Sequence, residues 1–181
     1  MLYEVEAMTC NPGSDFRHDV DRLAEPPLNI LPKKGVYTVI IHVVKGGRMH
    51  IGSLGIMDVM EGFYAYTGSG LGRGALSLRG RVLRHLEKRK KLKWHIDYLT
   101  SSKSSTVVGV VASMVDKRFE CTIASAINSL TKCIKGFGCS DCKCFSHLAF
   151  LPHQDVNDCI NFIKDIYIHL GLTPISITFS S

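Results

Sequence analysis

The order of apolar and polar positions predicts a chain that alternates between strands and helices. Residues 36–44 form a β-branched, apolar run, which is typical of a strand covered on both faces. Glycines at residues 46 and 47 then predict a hairpin turn. Further strands are predicted for residues 48–54, 62–67, 107–115 and 147–151. A glycine-rich loop over residues 68–74 separates these first strands from the helical part of the chain.

Three segments repeat their apolar residues every three to four positions, which is the period of an amphipathic helix. The segments are residues 74–93, 119–130 and 155–170. In the first, the residues expected on the inner side are Leu76, Val82, Leu83 and Leu86, and those expected on the opposite side are Arg81, Arg84, His85 and Lys88. Gly171 is expected to end the third.

These elements predict one α/β (α+β) domain, with a small mixed or mainly antiparallel sheet flanked by helices. The domain is expected to span residues 35–181 and to include the C-terminal helix, whereas proline and glycine turn signals in residues 1–34 indicate an N-terminal arm. An apolar fraction of 45% is ordinary for a globular protein. No apolar run reaches the length of a membrane span, and the start does not resemble a signal peptide. We therefore expect an intracellular, cytoplasmic protein with no membrane partner.

The net charge of +6 is moderate, but its placement is uneven. Nine lysines and arginines fall within residues 73–93, where Glu87 is the only acidic residue. This cluster predicts a polyanion as partner, and DNA is the polyanion we favour. The candidate nucleic-acid contacts are Arg73, Arg79, Arg84, Lys88, Lys90 and Lys91. The alternative interpretation is a solvated helix face without a partner.

Two tyrosine–glycine signatures precede this basic segment. Gly35-Val36-Tyr37 opens one apolar run, and Tyr66-Thr67-Gly68 closes another. They are followed by Arg81 and, one helical turn later, by His85. A histidine at position 95 and a carboxylate at position 120 come next. Cutting a phosphodiester requires these groups, because a base must take a proton from water, a cation must hold the phosphate, and a carboxylate must hold a metal ion.

In this order the motifs resemble the GIY-YIG nuclease family. The wider segments that carry the resemblance are Ile51-Gly52-Ser53-Leu54-Gly55, Gly62-Phe63-Tyr64-Ala65-Tyr66-Thr67-Gly68-Ser69, Trp94-His95-Ile96-Asp97-Tyr98-Leu99, Glu120-Cys121 and residues 136–148. They are similar to the branch of the family that also occurs appended to archaeal endonuclease III. The resemblance covers roughly residues 35–150 and implies a GIY-YIG-like fold. Two features depart from the family pattern: the second motif has threonine in place of isoleucine, and residues 45–61 form a long insertion between the motifs.

The resemblance implies a role for each site residue. Tyr37 matches the tyrosine that positions or deprotonates the attacking water, and Tyr66 matches the tyrosine that packs beside the scissile phosphate. Arg81 matches the arginine that holds this phosphate, and His85 matches the histidine one turn later. Glu120 matches the carboxylate that binds a single divalent ion, magnesium or manganese, as one carboxylate completed by waters and substrate oxygens can do.

His95 is the candidate for a further histidine near the active site. The alternative for residues 94–98 is a structural turn in which His95 and Asp97 bind backbone groups. The implied function is metal-dependent endonucleolytic hydrolysis of DNA, with DNA repair as the setting and DNA-repair proteins as candidate partners. Two other functions remain open: a nucleic-acid-binding module without catalysis, and a zinc-stabilised interaction domain.

The cysteines form a second group of candidate site residues. The candidate zinc ligands are Cys139, Cys142, Cys144 and His147, because thiolate sulfur and imidazole nitrogen are the ligand atoms that zinc prefers in proteins. All of them lie within nine residues, and one short segment does not easily surround a metal, so a remote ligand such as Cys133 is expected. The alternative is a packed loop in which Asp141 and His147 form hydrogen bonds. Cys10, Cys121 and Cys159 are interpreted as small buried hydrophobes.

Overall fold

A six-stranded antiparallel sheet forms the centre of the computed structural model, which describes residues 28–179. Most of the predicted N-terminal arm, including its first turn signals and Cys10, lies outside the described residues. The strands are β1 (Gly35–Val43), β2 (Gly47–His50), β3 (Ile56–Val59), β4 (Gly62–Gly70), β5 (Ser105–Ser113), β6 (Lys132–Cys133), β7 (Leu148–Leu151) and β8 (Ile175–Thr178). The α-helices are α1 (Leu78–Leu86), α2 (His95–Thr100), α3 (Glu120–Leu130) and α4 (Val156–His169).

The strands of the large sheet lie in the order β6-β7-β4-β1-β5-β8. Strands β2 and β3 form a separate hairpin within the insertion between the two tyrosine motifs. The predicted hairpin at Gly46 and Gly47 is wrong, because β2 pairs with β3 and not with β1, whose neighbours are β4 and β5. The predicted fold class, a mainly antiparallel sheet flanked by helices, is confirmed. The prediction missed β3, β8, the short β6 and helix α2, and it assigned residues 48–54 to one strand where β2 ends at His50 and a 3₁₀ turn follows.

Each face of the sheet carries its own apolar core, because successive side chains of a strand point to opposite faces. On one face, Tyr37, Val39 and Ile41 of β1 pack with residues of α1 and α2. On the other face, Val36 and Ile40 pack with α3 and α4. The prediction that this strand is covered on both sides is therefore confirmed.

The first predicted helix differs most from the structure. Helix α1 ends at Leu86 rather than at residue 93, and Leu76 and Leu83 are exposed. Its buried residues are Leu78, Val82 and His85, at spacings of four and three. Beyond Leu86 the segment has a single apolar residue before Trp94, so it has no apolar stripe with which to continue an amphipathic helix.

Helix α4 agrees closely with its predicted periodicity. Its buried residues are Cys159, Ile160, Ile163, Ile166 and Tyr167. The side chain of Asp155 caps its first turn by accepting the N–H groups of Asn157 and Asp158. Gly171 follows with a φ of 76°, a left-handed conformation that glycine adopts without steric cost.

The core under α4 yields a stability prediction. Ile163 is fully buried, whereas Ile168 on the same helix is 56% exposed. Ile163→Ala should lower the free energy of unfolding by about 2–5 kcal/mol, because it leaves a cavity. Ile168→Ala, the matched control, should change it by less than about 0.5 kcal/mol. Urea denaturation measures both, and equal effects of the two substitutions would contradict the packing described here.

Candidate functional site

A buried hydrogen bond joins the first tyrosine motif to α1. The hydroxyl of Tyr37 lies 2.8 Å from Nε2 of His85, and each residue is only 1% exposed. Strand pairing places Tyr37 opposite Gly68 of the second motif. A Cβ atom on Gly68 would lie 2.6 Å from the Tyr37 hydroxyl oxygen, so this close approach requires glycine. The two motifs therefore meet at this hydroxyl group.

Burial keeps both partners of this hydrogen bond uncharged. It raises the pKa of Tyr37 well above its ordinary value, an effect that the charge of Arg81 partly counters and those of Asp97 and Glu120 reinforce. Burial, aided by the charge of Lys90, lowers the pKa of His85 to about 3. At pH 7 the bond therefore joins a neutral phenol to a neutral imidazole. Among the described residues, Nδ1 of His85 has no hydrogen-bond partner.

Arg81 reaches this pair while its guanidinium group rests against an aromatic ring. The guanidinium carbons of Arg81 and Arg84 each lie 4.9 Å from the centre of the Trp94 ring. Arg84 also donates to the carboxylate of Asp97 at 2.7 Å. This carboxylate accepts backbone N–H groups as well, so its pKa lies below the ordinary value although burial alone would raise it. Trp94 and Asp97 thus restrict the positions that the two arginines can take.

Tyr66 and His95 both pack against the ring of Phe137. The ring centres of Tyr66 and Phe137 are 6.1 Å apart, and those of His95 and Phe137 are 5.8 Å apart. Tyr66 also contacts the His85 ring at 5.8 Å between centres. His95 accepts the backbone N–H of Gly138 at Nδ1, so its Nε2 is free to donate to Ser53 at 2.9 Å. His95 and Asp97 thus both bind backbone groups, as the structural alternative for residues 94–98 predicted, although these residues begin helix α2 rather than form a turn.

Glu120 approaches from the opposite side of the sheet. It is the first residue of α3, and its charge contributes to the raised pKa of Tyr37. Its Oε2 atom accepts the backbone N–H of Phe119 at 3.0 Å, and Oε1 lies 3.8 Å from Nε of Arg118. The contacts of the carboxylate are thus with its own neighbours in the chain, and α3 packs on the opposite face of the sheet from α1.

The structure thus brings Tyr37, Tyr66, Arg81 and His85 together. His95 contacts them only through the ring of Phe137, and Glu120 stands in the first turn of α3 on the other face of the sheet. Sequence reasoning placed His85 on the outer side of its helix, and the structure corrects this. His85 lies in the buried stripe of α1 with Leu78 and Val82, and its burial is tolerated because its Nε2 atom forms a hydrogen bond with the hydroxyl of Tyr37. Trp94, whose ring supports Arg81, was not assigned this role from the sequence.

The predicted nucleic-acid contacts divide into two groups. Four of them donate hydrogen bonds to the protein itself. Arg79 donates to the carbonyls of Leu31 and Asn29, and Arg84 donates to the carboxylate of Asp97. Lys88 donates to the carbonyls of Thr100 and Ser102, and Lys90 donates to the carbonyl of Arg84 and the hydroxyl of Thr100. Burial lowers the pKa of Lys90 to about 8. Arg73 and Lys91 are exposed, as are Arg89 and Lys93. The solvent-exposed charge is therefore smaller than the sequence suggested.

A second cluster lies beside this site and could hold a metal ion. Its ligand atoms, contributed by Cys121, Cys142, Cys144 and His147, all lie within 4.8 Å of one another. Nδ1 of His147 is 3.0 Å from the carbonyl oxygen of Thr67, which accepts the ring proton. Nε2 is therefore unprotonated in the neutral ring, and it faces the sulfur atoms of Cys121 and Cys142.

The ligand set corrects the prediction in two ways. Cys121 of α3 supplies the remote ligand, so its interpretation as a buried hydrophobe is wrong and Cys133, on edge strand β6, is not needed. Cys139 lies beside the cluster, but its sulfur atom is 3.4 Å from the carbonyl oxygen of Phe137. No spacing in the sequence connects position 121 to the loop before β7, because only the folded sheet brings these segments together.

Comparison with known proteins gives one match. The model of the family described as Domain of unknown function DUF123 matches residues 36–168, which include both clusters. No curated protein and no solved structure matches the chain significantly. Within residues 28–179, none of the helices is long and apolar enough to cross a membrane.

The buried histidine yields a prediction of pH dependence. The pKa of His85 is about 3 in the folded protein and about 6.5 in the unfolded chain. Between these pH values the unfolded state binds more protons, so the free energy of unfolding should fall as the pH drops, by up to about 1.4 kcal/mol per pH unit. His85→Gln should make this slope shallower, and the exposed control His50→Gln should not. Denaturation at several pH values tests this, and equal slopes for all three proteins would refute it.

Proposed function

The chain belongs to the family described as Domain of unknown function DUF123, and we propose that it is an endonuclease that hydrolyses phosphodiester bonds of DNA with a divalent metal ion. The observation that carries this proposal is the convergence of a tyrosine hydroxyl, an imidazole and a guanidinium group where the two tyrosine motifs meet. These groups supply proton transfer and phosphate binding, and we assign metal binding to Glu120 of α3. The resemblance of the motifs to the GIY-YIG nuclease family supports the same assignment of roles.

In the proposed reaction, Tyr37 orients the attacking water. A lone pair of its hydroxyl oxygen accepts a hydrogen bond from water, while its own proton points to Nε2 of His85, 2.8 Å away. As the water attacks phosphorus, its proton passes to the tyrosine oxygen, and the tyrosine proton passes to the imidazole. The charge of an approaching phosphate raises the pKa of His85 from its low value, which favours this transfer.

Arg81 and Tyr66 bind the phosphate in this proposal. A guanidinium fork fits two phosphate oxygens, and its charge stabilises the pentacovalent transition state. The contact of Arg81 with Trp94 holds the fork in place before substrate arrives, which reduces the entropy lost on binding. Both ring nitrogens of His95 bind the protein, so His95 reaches the phosphate in this proposal only if its Nε2 proton leaves the hydroxyl of Ser53.

Glu120 is the residue that would hold the divalent ion, magnesium or manganese. Its Oε2 atom already accepts one N–H group, and its Oε1 atom faces only the long, exposed side chain of Arg118. One carboxylate oxygen, with waters and substrate oxygens, matches the way in which proteins hold magnesium. Bound there, the ion would supply positive charge for the leaving oxygen.

Zinc is the ion we propose for the cluster of three cysteines and His147. A tetrahedral site with a zinc–sulfur distance of about 2.3 Å places neighbouring ligands about 3.8 Å apart. The cluster, with its ligand atoms within 4.8 Å, needs only a small contraction to reach this geometry. Three cysteines and one histidine fill all four positions, so the ion has a structural role and no open site for substrate.

A nucleic-acid-binding module without catalysis is the second candidate. The observation that favours it is the burial of Tyr37 and His85, which water must reach for the reaction to proceed. A zinc-stabilised interaction domain would need only the cysteine cluster. We favour the nuclease, because neither alternative gives a reason for a buried tyrosine–histidine pair with an arginine beside it. We further propose that the protein acts inside the cell on DNA under repair, together with DNA-repair proteins.

The carboxylate is tested by removing its charge. Glu120→Gln should abolish metal-dependent cleavage and leave DNA binding unchanged or slightly tighter, because it removes the ion's ligand and a charge that repels phosphate. Arg81→Ala should weaken both binding and cleavage. The exposed control Glu61→Gln should behave as wild type. Nicking of linear and branched DNA with magnesium or manganese measures this, and wild-type cleavage by Glu120→Gln would refute the metal assignment.

The exposed cations are tested by salt dependence. Replacing Arg73, Arg89, Lys91 and Lys93 by glutamine should flatten the plot of log affinity against log salt by about 0.9 for each DNA phosphate that the variant no longer neutralises. Lys132→Gln, an exposed control on edge strand β6, should keep the slope. Lys88→Gln should instead lower thermal stability, because its ammonium group binds backbone carbonyls. An unchanged slope in the fourfold variant would exclude this surface from DNA binding.

A further inference from the structure

The cysteine cluster and the proposed catalytic site share two elements of the fold. Cys121 directly follows Glu120 in the first turn of α3. On the other side of the cluster, the ring of His147 donates to the carbonyl of Thr67, and the backbone N–H of Thr67 donates to the carbonyl of His147. Thr67 in turn lies between Tyr66 and Gly68 of the second tyrosine motif. An ion in the cluster would therefore connect the segment carrying Glu120 to the strand end against which Tyr37 packs.

Apart from the half-buried ring of Phe119, which packs at the margin of the core, the contacts at the start of α3 are polar and weak. Its N-cap residue, Phe119, contributes no capping side chain, and the helix instead begins with the carboxylate of Glu120 accepting the N–H of Phe119. Arg118, whose side chain is 67% exposed, forms the ion pairs with Glu120 and Asp141 at 3.8 and 3.4 Å. Such exposed pairs contribute little. The apolar anchors of the helix, Ile123 and Ile127, come one and two turns later.

We infer that the metal ion of the cysteine cluster positions Glu120, so that its occupancy determines how tightly the catalytic divalent ion binds. This inference rests on the proposed function, because it assigns Glu120 to that second ion. The cluster ion displaces the thiol protons of its three cysteines to solvent when it binds. It then fixes the first turn of α3 relative to Thr67, and the carboxylate one residue earlier is fixed with it. Glu120 is the metal ligand, and Cys121 is a positioning residue.

The binding of manganese to the full chain tests this coupling without relying on cleavage. Zinc content is measured by elemental analysis, and manganese affinity by the loss of the free-ion signal in electron paramagnetic resonance. Wild type and the matched control Cys133→Ser should each contain zinc and bind manganese alike, since Cys133 is outside the cluster. Cys121→Ser should lose zinc, and its manganese dissociation constant should rise about tenfold to a hundredfold. Glu120→Gln should lose the manganese site with zinc retained.

Two controls separate positioning from unfolding. Trp94 is the only tryptophan, so its fluorescence reports whether the layer around Arg81 stays folded. Cys144→His keeps four zinc ligands of an accepted type and should retain both zinc and manganese binding. Wild type stripped with a chelator should bind manganese weakly and recover on addition of zinc, which an irreversibly unfolded chain would not do.

The outcomes distinguish the inference from the proposed function. Absence of zinc in wild type, with no uptake on reconstitution, overturns the inference and leaves the nuclease to be decided by cleavage. The inference is also overturned if Cys121→Ser contains no zinc but binds manganese as tightly as wild type. If zinc-free protein binds manganese more weakly than zinc-loaded protein, the inference is supported. If wild type in addition cuts no DNA, the inference stands and only the proposed nuclease activity is refuted. A wild-type protein that binds no manganese overturns the inference and removes Glu120 as the ligand.

Discussion

The hydrogen bond between Tyr37 and His85 is the interaction on which the rest of the site depends. Both side chains are buried, so each must be satisfied by the other or leave an unpaired polar group in the core. The bond requires glycine at position 68, because a side chain there would occupy the space of the tyrosine hydroxyl. It also requires His85 to point inward from α1, which sets the rotation of that helix and brings Arg81 beside the same hydroxyl group.

The two faces of the sheet contribute different parts of the site. The face under α1 supplies the tyrosines, the arginine and the histidine, whereas α3 on the opposite face supplies Glu120 and Cys121 from its first turn. Tyr37 near the start of β1 pairs with Gly68 near the end of β4, so the hydroxyl of Tyr37 lies at the end of the strands. The cysteine cluster lies at the same place and connects α3 to Thr67 of β4 through His147. A metal ion there would hold the start of α3 more rigidly than the exposed ion pairs of Arg118 do.

Local patterns in the sequence predicted part of this arrangement, and the physical reasons are visible in particular residues. The β-branched run of β1 and the apolar stripe of α4 are strong signals, and the structure agrees with both. Helix α1 was predicted too long because basic residues favour helices but supply no buried face beyond Leu86. His85 was predicted on the exposed side of α1 because it is polar, and the sequence does not show that Tyr37, 48 residues earlier, supplies a buried hydrogen-bond partner. Cys121 was missed because its partners lie more than twenty residues away along the chain and meet it only through the antiparallel pairing of β4 and β7.

Single-turnover cleavage by a protein lacking one hydroxyl group tests the central claim most directly. Tyr37→Phe keeps the ring and removes the group that is proposed to hold water, and Tyr167→Phe is its matched control, because that buried hydroxyl binds Thr38 on the other face. With manganese and DNA, the account predicts that Tyr37→Phe cleaves about 10²–10⁴ times more slowly than wild type, whereas Tyr167→Phe, once shown to be folded, cleaves at the wild-type rate. Equal rates for the two variants, or no cleavage by wild type, would contradict it.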